Sequence, residues 1–491
     1  MHLRFIVALA IFATAGDCAD FTTYIGGSSL NQFLSVTALA ADAAGDTYAT
    51  GGELTEPQAS RAGFLTKLDP AGNVLYTVAL ADTPNTIAVD PSGNVWLGGS
   101  TSLSDFPLMN PLQSAPSPRG SGFLTKFSPS GTLLYSSYFG GVDGASGVNG
   151  VATDAAGNLY VTGVTSSSDF SATSGLPSFP PNASTTGAFV AKLDPTGQKI
   201  VYATVIAGTR STCLGTGCTA PAPSTTGSGI AVDGAGDAVI AGATNTVSLG
   251  GPQGESAPGT GPFVVKINAA GDAIVYLTYL SPAPSVINDV ITSSSLATAP
   301  IAADASGHAY VLGSTNIPDF PATPGAYQTT YTGGAAPQGF VTLLGPEGQT
   351  VWTTFLPFQP GPDSPYTASI SLDSASNVWL TGAASAEGIG SVTGSGTPDY
   401  IASGFVSELS ADGSRLPYSS NFPAAFAGQD IAVDSSGVVH LAGPLGLVST
   451  LTAAQPNAPR VLSILNAAAG QVTGVIAPGE IISIHGSSLG R

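Results

Sequence analysis

Three aspartates recur in one short motif, and their spacing makes them the best candidates for chemistry in this sequence. The motif stands in the chain as Ser104-Asp105-Phe106-Pro107, Ser168-Asp169-Phe170 and, as a variant, Pro318-Asp319-Phe320-Pro321. Two carboxyl groups that meet at one cavity can act as the acid and the base of glycosidic bond cleavage. The same recurrence is also explained if each aspartate caps its loop. Loop capping is favoured, and an extracellular carbohydrate-active lyase or hydrolase is kept as the alternative.

The other reactive side chains form no recognisable catalytic or metal-binding motif. His308, His440 and His485 lie apart from any nucleophile or metal signature, and the sequence has no calcium loop and no phosphate-binding loop. Cys213 and Cys218 enclose only four residues. In an exported protein, two such cysteines are expected to form a disulfide that closes the small loop between them. We therefore predict no metal and no cofactor, and an enzyme is the less favoured interpretation.

The composition restricts the classes of partner. Charged residues make up only 9% of the 491 residues, against about 25% in an average domain, and the net charge is −19. A strongly acidic chain repels the phosphates of nucleic acids and the headgroups of anionic membranes. Nucleic acid is therefore excluded as a partner, and an extracellular protein or polysaccharide is expected.

The N-terminal residues are typical of a secretory signal peptide. Arg4 supplies the positive charge, Phe5 to Ala15 form an apolar run, and Ala13-Thr14-Ala15 has the small residues of a cleavage site. The apolar run is too short to cross a bilayer, and no later segment is long and apolar enough to do so. We therefore expect residues 1–19 to be the signal-peptide region, with cleavage after Ala15 or Ala19, and the chain to be secreted or held at the cell surface.

An internal repeat indicates the strands and turns that hold the candidate side chains in place. An aspartate that follows a short apolar strand, with a glycine nine residues later, occurs seven times, as Asp42, Asp90, Asp154, Asp233, Asp304, Asp373 and Asp434. This pattern is typical of a tight hairpin in which the carboxylate accepts amide protons of the turn and a glycine adopts positive φ. In the sixth copy, Ser376 replaces the turn glycine that stands three residues after the aspartate, so the sixth turn is expected to be less regular. His308 is expected to be a turn residue.

A second hairpin motif follows in six copies. A phenylalanine begins one strand, and an aromatic residue twelve or thirteen positions later marks the next strand. The phenylalanines are Phe64, Phe123, Phe189, Phe263, Phe340 and Phe405. Lysine occupies one shared position of this motif four times, as Lys67, Lys126, Lys192 and Lys266. We expect the stem of each lysine to pack on the sheet and its charge to lie in water.

Two hairpins per repeat predict a four-stranded antiparallel sheet, and seven such sheets predict an all-β, seven-bladed β-propeller over residues 20–452. The seventh repeat lacks its fourth strand. A matching strand stands at the start of the chain, where Phe21-Thr22-Thr23-Tyr24-Ile25-Gly26-Gly27 parallels Tyr135-Ser136-Ser137-Tyr138-Phe139-Gly140-Gly141 of the second repeat. We therefore predict that residues 20–27 complete the last blade and remove an exposed sheet edge.

The order of these pieces resembles a known family. Tyr-Ser-Ser-Tyr-Phe-Gly-Gly, Ala-x-Asp-x-x-Gly-Asn-x-Tyr-Val-x-Gly, Ser-x-Asp-Phe and Phe-x-Thr-Lys-Leu-x-Pro-x-Gly succeed one another. In this respect the chain resembles the bacterial seven-bladed β-propeller (SBBP) repeat and is similar to NHL-type repeats. The resemblance implies the propeller fold and an exported bacterial protein, and it transfers no catalytic residue.

The C-terminal residues 453–491 carry a second resemblance. Ile476-Ala477-Pro478-Gly479-Glu480 and the following Ile481-Ile482-Ser483-Ile484-His485 are similar to the start of an IPT/TIG, immunoglobulin-like domain of exported proteins. The segment is too short for a complete sandwich, so an incomplete C-terminal β segment is expected.

Connection lengths indicate which surface binds. The two hairpin turns of each repeat are nearly constant in length. Because neighbouring strands alternate in direction, both turns lie on one face of the disc, which we call the hairpin face. The variable connections share the other, the long-loop face, formed by loops 100–122, 164–188, 207–228, 243–262, 281–298, 314–339 and 383–404. Repeat proteins commonly bind with the face that carries insertions. We therefore expect a monomeric binding or scaffold module that binds on this face, around the central channel.

Candidate ligand-binding residues in these loops are Asp105, Phe106, Asp169, Phe170, Asp319, Phe320, Tyr327, Tyr331 and Tyr400. The aromatic rings among them either stack on a ligand or pin their own loops to the sheet.

Overall fold

The computed structural model shows seven four-stranded antiparallel sheets arranged in one ring, so the predicted all-β, seven-bladed propeller is confirmed. The structure describes residues 22–25, 33–54, 63–170, 172–173, 176, 185–208, 222–246, 249, 261–280, 300–315, 317–333, 337–357, 368–384, 403–422, 428–443, 446–452, 460–466 and 482–487. The predicted signal peptide, Tyr400 and the predicted disulfide Cys213–Cys218 lie outside the described residues. Within the described part of the chain, no helix has the length and apolarity needed to cross a membrane.

Each sheet is one blade, and the first four blades are alike. Blade 1 consists of β2 (Phe33–Ala41), β3 (Thr47–Leu54), β4 (Gly63–Leu68) and β5 (Val74–Leu80). Blade 2 consists of β6 (Pro84–Val89), β7 (Val95–Thr101), β8 (Ser121–Phe127) and β9 (Leu133–Phe139). Blade 3 consists of β10 (Ser146–Thr153), β11 (Leu159–Thr165), β12 (Gly187–Leu193) and β13 (Ile200–Ile206). Blade 4 consists of β14 (Thr225–Val232), β15 (Ala238–Thr244), β16 (Gly261–Ile267) and β17 (Ile274–Tyr279).

The last three blades have shorter first strands. Blade 5 consists of β18 (Ile301–Ala303), β19 (Ala309–Thr315), β20 (Gln338–Leu344) and β21 (Thr350–Phe355). Blade 6 consists of β22 (Ala368–Leu372), β23 (Val378–Ala384), β24 (Ser403–Leu409) and β25 (Tyr418–Phe422). Blade 7 consists of β26 (Asp430–Val433), β27 (Val438–Ala442), β28 (Leu447–Thr452) and β1 (Thr22–Tyr24). After the propeller, β29 (Arg460–Asn466) and β30 (Ile482–Ser487) form an antiparallel pair; the IPT/TIG resemblance of this segment stays a prediction.

The first strands of the blades surround the centre of the ring. Each first strand packs against the first strand of the next blade, in the order β2, β6, β10, β14, β18, β22 and β26, and β26 packs against β2. The ring is therefore closed, and the fourth strands form its outer rim.

The N-terminal strand β1 completes blade 7, as predicted for residues 20–27. Its register places Thr22, Thr23 and Tyr24 opposite Ser449, Val448 and Leu447 of β28. The amide of Ile25 donates to the carbonyl of Gly446 at 2.7 Å, and Ile25 is only 3% exposed. The hydroxyl of Thr23 donates to the carbonyl of Gly72 in blade 1. The closing strand therefore holds both its own blade and the next.

The apolar cores lie between the blades. Among the described residues, seven clusters of buried side chains each join two consecutive blades, including blades 7 and 1. Between blades 2 and 3, for example, Trp96 and Tyr135 pack with Val161 and Leu193. We call each such interface a seam. A blade buries its apolar faces only when both of its neighbours are present.

In blades 2 to 5, the closing glycine makes room for the phenylalanine of the following strand. Gly99 and Phe123 stand opposite one another in blade 2. A Cβ atom on Gly99 would lie 2.7 Å from the Phe123 ring, so a side chain cannot be accommodated there. The two sequence motifs therefore meet in one cross-strand contact.

The turn aspartate has the role that the sequence predicts. In all seven copies its carboxylate accepts the backbone amides two and four residues further on, at 2.8–3.0 Å. The sixth turn keeps this geometry with Ser376 at a φ of 60°. The amide of Ser376 donates to the carbonyl of Asp373 at 3.0 Å, as the turn glycines of the other copies do. The expectation of a less regular turn is wrong, because a residue with a side chain takes the left-handed conformation.

Candidate functional site

Each blade carries one row of side chains near the hairpin face, and in blades 1 to 6 the row is described across all four strands. In blade 3 the row consists of Ala152, Tyr160, Lys192 and Tyr202, each opposite the next on neighbouring strands. The equivalent rows are Ala40, Tyr48, Lys67 and Tyr76 in blade 1, Ala88, Trp96, Lys126 and Tyr135 in blade 2, and Ala231, Val239, Lys266 and Tyr276 in blade 4. In blades 1 to 3 the row places the lysine between aromatic residues of the second and fourth strands, whereas in blade 4 the second-strand residue is Val239.

The lysine of each row binds the turn aspartate of its own blade. The Nζ–Oδ2 distances are 2.6 Å for Lys266–Asp233, 2.9 Å for Lys126–Asp90, 3.3 Å for Lys192–Asp154 and 3.6 Å for Lys67–Asp42, and Lys67 also lies 2.7 Å from Asp46. In blades 1 to 3 the ammonium lies 4.7–4.8 Å from the centre of the second-strand aromatic ring. These contacts combine a salt bridge with a cation–π interaction.

The prediction that the lysine charges lie in water is wrong. The four lysine side chains are 4–11% exposed. The reason is that the turn between the first two strands ends beside the third strand, so the lysine reaches the aspartate across the ring of the second strand. Burial acts to raise the pKa of Asp90, but hydrogen bonds from Lys126 and Asn94 hold the pKa of that carboxyl below its usual value.

Two blades without the lysine use histidine instead. In blade 5, Leu343 takes the lysine position, and His308 Nδ1 lies 3.0 Å from Asp304. In blade 7, Thr450 takes the lysine position. His440 Nε2 then lies 3.2 Å from the turn aspartate, Asp434. His308 is thus a turn residue, as predicted, and its imidazole bonds the aspartate of that turn.

Blade 6 places a carboxyl group where the other rows have a cation. Glu408 stands between Trp379 and Tyr418. Burial raises the pKa of Glu408 above its usual value, and the charge of Asp373 raises it further. Among the described residues, no three His, Cys, Asp or Glu side chains are grouped closely enough to hold a metal ion.

The one Asp–His–hydroxyl relay that the described residues contain lies at the seam between blades 7 and 1. Asp434 Oδ2 lies 3.2 Å from His440 Nε2, and His440 Nδ1 lies 2.7 Å from the hydroxyl of Thr47. The same order of groups activates the nucleophile of many hydrolases. Thr47 is 0% exposed and His440 is 1% exposed, so a substrate cannot reach the hydroxyl. The relay therefore joins two blades.

Asp430 is a second carboxylate at the closing seam, at the start of the innermost strand of blade 7. Its Oδ1 accepts the hydroxyl of Ser369 in blade 6 at 2.5 Å, and its Oδ2 accepts the amide of Leu39 in blade 1 at 2.8 Å. Burial raises the pKa of Asp430, although its hydrogen bonds oppose that shift. One side chain thus ties three consecutive blades together around the channel.

The inner strands of blades 1 to 4 each carry a β-bulge at the same place. The bulged residues are Thr37, Asn85, Asn149 and Ser228. The first three donate side-chain hydrogen bonds to a carbonyl of the next blade, with the pairs Thr37–Pro84, Asn85–Val148 and Asn149–Gly227. A bulge redirects a side chain, and here it directs polar groups across the seams around the channel.

The described parts of the long connections of blades 2, 3 and 5 lie along the outer rim. We call residues 102–120, 166–186 and 316–337 the straps. Met109 and Ser136 exchange backbone hydrogen bonds at 3.0 and 2.8 Å, so the strap of blade 2 pairs with the fourth strand. In blade 5, the amide of Phe355 donates to the carbonyl of Gln328 at 2.9 Å. The described parts of the straps therefore cover the sheet edges, and the expectation that they surround the channel is wrong for them.

The strap aromatics divide into buried anchors and one exposed ring. Phe106 is 6% exposed and lies 5.0 Å from Phe123, between ring centres. Phe320 is equally buried, 4.5 Å from Phe340. The half-buried rings are Phe170, stacked on Phe189 at 5.1 Å, and Tyr331, 5.8 Å from Phe355. Tyr327 is 36% exposed. The rings other than Tyr327 therefore pin their straps, and ligand binding by this set stays a prediction.

The strap aspartates lie on three different blades and are exposed. Asp169 accepts the amide of Val142 at 3.0 Å, so it caps the connection between blades 2 and 3. Its neighbour Ser168 donates hydrogen bonds to Asp143, which holds the pKa of Asp143 at about 2. Asp105 and Asp319 stand beside the buried anchors Phe106 and Phe320. An acid–base role for any two of these three aspartates stays a prediction.

Tyr202→Phe is expected to leave stability unchanged or to raise it by about 1 kcal/mol, because a buried hydroxyl without a partner only costs desolvation. Tyr202 Oη is buried and has no hydrogen-bond partner. The matched control is Tyr160→Phe in the same row, since Tyr160 Oη donates to the carbonyl of Gly236 at 2.8 Å and its loss is expected to cost about 1 kcal/mol. Urea denaturation of both variants measures the difference. Equal losses would show that a buried water bonds Tyr202.

The sequence contains a signal for the contact between the row lysine and the turn aspartate. Where the lysine is replaced by Leu343 or Thr450, a histidine stands near the turn aspartate of the same repeat. This exchange indicates that lysine and aspartate are in contact. The pairing of Thr47 with His440 had no such signal, because it occurs once and spans 393 positions.

Comparison with known proteins agrees with the fold. A family model described as the SBBP β-propeller repeat matches residues 134–171, from the fourth strand of blade 2 to the Ser-x-Asp-Phe motif of blade 3. Together with the seven blades, this match makes the chain a β-propeller repeat protein. No curated protein sequence matches the chain.

Several solved structures are similar to it at low identity. The hydrazine synthase of Kuenenia stuttgartiensis is 11% identical, with a TM-score of 0.47 over 88% of this chain and 99% of that chain. The WD40 repeats of RRP9 are 12% identical, with a TM-score of 0.45 over 88% and 97%. The WD40 β-propeller domain of Doa1 is 10% identical, with a TM-score of 0.41 over 87% and 94%.

Proposed function

We propose that this protein is an exported binding or scaffold module that holds an extracellular protein or polysaccharide with its straps. The observation that supports the proposal is that the charged groups of the rows are buried in ion pairs, whereas polar groups of the straps are exposed. The row lysines and the turn aspartates are buried against each other at the seams. The straps instead hold Asp105, Asp319 and Tyr327 at the surface.

The described parts of the straps are suited to binding because they are fixed before a ligand arrives. Phe106 and Phe320 are buried beside the exposed aspartates, and backbone hydrogen bonds tie the straps to the fourth strands. The amide of Tyr327 also donates to the carbonyl of Gly413 in blade 6, at 2.8 Å. A surface that is already ordered loses less conformational entropy when it binds. The carboxylates can accept hydrogen bonds from sugar hydroxyls or protein amides, and an exposed tyrosine ring can stack.

The test compares binding of the full chain and of the triple variant Asp105→Asn, Asp319→Asn and Tyr327→Ala to a glycan array and to extracellular-matrix proteins. We expect the affinity of the variant for its ligand to fall at least tenfold. Its melting temperature should stay unchanged because all three side chains are exposed. Glu347→Gln, an exposed turn carboxylate of the hairpin face, is the control and should bind normally. Unaltered binding by the triple variant, or loss only with Glu347→Gln, would place the ligand elsewhere.

A further inference from the structure

The seam between blades 7 and 1 differs from the other six in one buried pair. Five positions after the turn aspartate, six blades have an apolar residue, namely Val95, Leu159, Ala238, Ala309, Val378 and Val439, whereas blade 1 has Thr47. One position further, six blades have an aromatic residue or valine, whereas blade 7 has His440. The two exceptions contact each other at 2.7 Å. The polar residues therefore occur as a matched pair at the seam that closes the ring.

The pair is enclosed on every side. Thr47 is 0% exposed and His440 is 1% exposed. The turn of blade 1 closes over the relay, because a Cβ atom built on Gly45 would lie 3.4 Å from Asp434 Oδ2. A neutral imidazole has one donor and one acceptor nitrogen, which suits a carboxylate at Nε2 and a hydroxyl at Nδ1. All polar atoms of the relay are satisfied without a charge on the imidazole.

The charged groups near His440 come from both blades. Asp434 lies on the turn of blade 7, and Asp42 faces the ring from the turn of blade 1. Asp42 is itself engaged by Lys67 at 3.6 Å and by the hydroxyl of Tyr48 at 3.2 Å. The ammonium of Lys67 lies closer to Asp46, at 2.7 Å. A proton on His440 would thus be added to a closed site in which the carboxylates already have partners.

We propose that the closing seam is a pH-sensitive latch, in which protonation of His440 loosens blade 7 from blade 1 while the other seams stay closed. A cation on a side chain that is 1% exposed has lost its hydration, and the hydrogen-bonded Asp434 and the more distant charge of Asp42 compensate for only part of that loss. The opened seam returns the imidazole to water, so the open form binds the proton more tightly. Acidification therefore shifts the population toward the open form.

The direction of the pKa shift agrees with this. Burial lowers the pKa of His440 below its usual 6.5, and Asp434 opposes the shift only in part. A group whose pKa is lower in the closed form contributes its full stability above the pKa of the open form. That stability is lost as the pH falls from about 6.5 toward the pKa of the closed form. The latch should therefore weaken at mildly acidic pH.

The other seams should not respond in this range. Turn carboxylates at other seams, such as Asp90 and Asp154, have pKa values below their usual range, so they stay ionised when His440 takes up its proton. His308 lies in blade 5 with a third of its side chain exposed. Asp430, also at the closing seam, has a raised pKa. Its contribution to stability is therefore lost as the pH rises, which is opposite to the dependence expected for His440. A loss of stability on acidification at this seam therefore points to His440.

Hydrogen–deuterium exchange of the full chain at pH 7.5 and 5.5, corrected for the intrinsic rate, tests the latch. We expect exchange in β1, β2, β3 and β26–β28 to accelerate on acidification by up to about tenfold per pH unit, the limit for one proton. The variants are His440→Gln, which cannot be protonated, and His440→Tyr with Thr47→Val, which copies the Tyr48–Val95 contact of the neighbouring seam. Both should lose the response.

The same response in both variants, or an acceleration shared evenly by the seven blades, would overturn the proposal. Because a variant can fail to fold, the imidazole of His440 in the unaltered protein is also titrated by NMR. A midpoint below 6.5 supports the latch, and a midpoint at or above 6.5 overturns it.

Discussion

Deletion of residues 20–27 is expected to lower the free energy of unfolding by about 5 kcal/mol, counting about 2 kcal/mol for the burial of Ile25 and about 1 kcal/mol for each of three hydrogen bonds. As a minimum, these are one backbone bond of the β1–β28 pairing, the bond from the amide of Ile25 to the carbonyl of Gly446, and the bond from the hydroxyl of Thr23 to the carbonyl of Gly72. The deletion also leaves β28 as an unpaired edge, which favours aggregation. The loss should exceed that from any single surface substitution.

The measurement is thermal and chemical unfolding of a chain that begins at residue 28 beside one that begins at residue 20. Thr23→Val is the matched control, because it removes only the bond to Gly72 and should cost about 1 kcal/mol. A synthetic peptide of residues 20–27 should restore part of the stability when added to the deleted chain. An unchanged melting curve after deletion would show that β1 does not close the ring.

Replacement of Lys266 by alanine is expected to cost about 3–5 kcal/mol, because it leaves a buried aspartate without a counter-charge. The side chains of Lys266 and Asp233 are 4% and 2% exposed, and their charged atoms lie 2.6 Å apart. Lys266 Nζ also lies 3.4 Å from both Asp237 and the carbonyl of Gly307 in blade 5. The substitution therefore weakens the row of blade 4 and its seam with blade 5.

Blade 5 offers a matched rescue for this variant. In blade 5, leucine takes the lysine position and His308 bonds the turn aspartate. The double variant Lys266→Leu with Asp237→His transfers this arrangement to blade 4 and should recover part of the stability. Denaturant titration of the single and double variants measures the recovery. If Lys266→Ala unfolds at the same midpoint as the unaltered chain, the ion pair contributes nothing.

The sequence was sufficient for the architecture because the repeat encodes it locally. Each turn aspartate bonds amides within four residues, and the closing glycines of blades 1 to 6 each face a phenylalanine on the next strand. Such contacts are set by spacing alone, so the blade number, the hairpins and the missing strand could all be predicted. The closing strand could be recognised because it copies the fourth strand of another blade.

The candidate site was harder to predict because it depends on contacts between strands and between blades. The burial of Lys126 depends on the position of the turn of Asp90 beside the third strand, which spacing does not reveal. The length of a strap does not say whether it surrounds the channel or lies along the rim. Met109 shows that the strap of blade 2 pairs with the outer strand.

The pairing of β1 with β28 has a mechanical consequence. Thr22 stands opposite Ser449, so the chain enters β1 and leaves β28 at the same end of the pair. A pull applied to residues 20 and 453 would load the hydrogen bonds of this pair one after another, as a zip opens, and would not shear them together. The ring should therefore open at blade 7 under low force, with the remaining six blades still folded at that point. If the protein is held at both ends, it would lengthen first at blade 7, where β1 separates from β28.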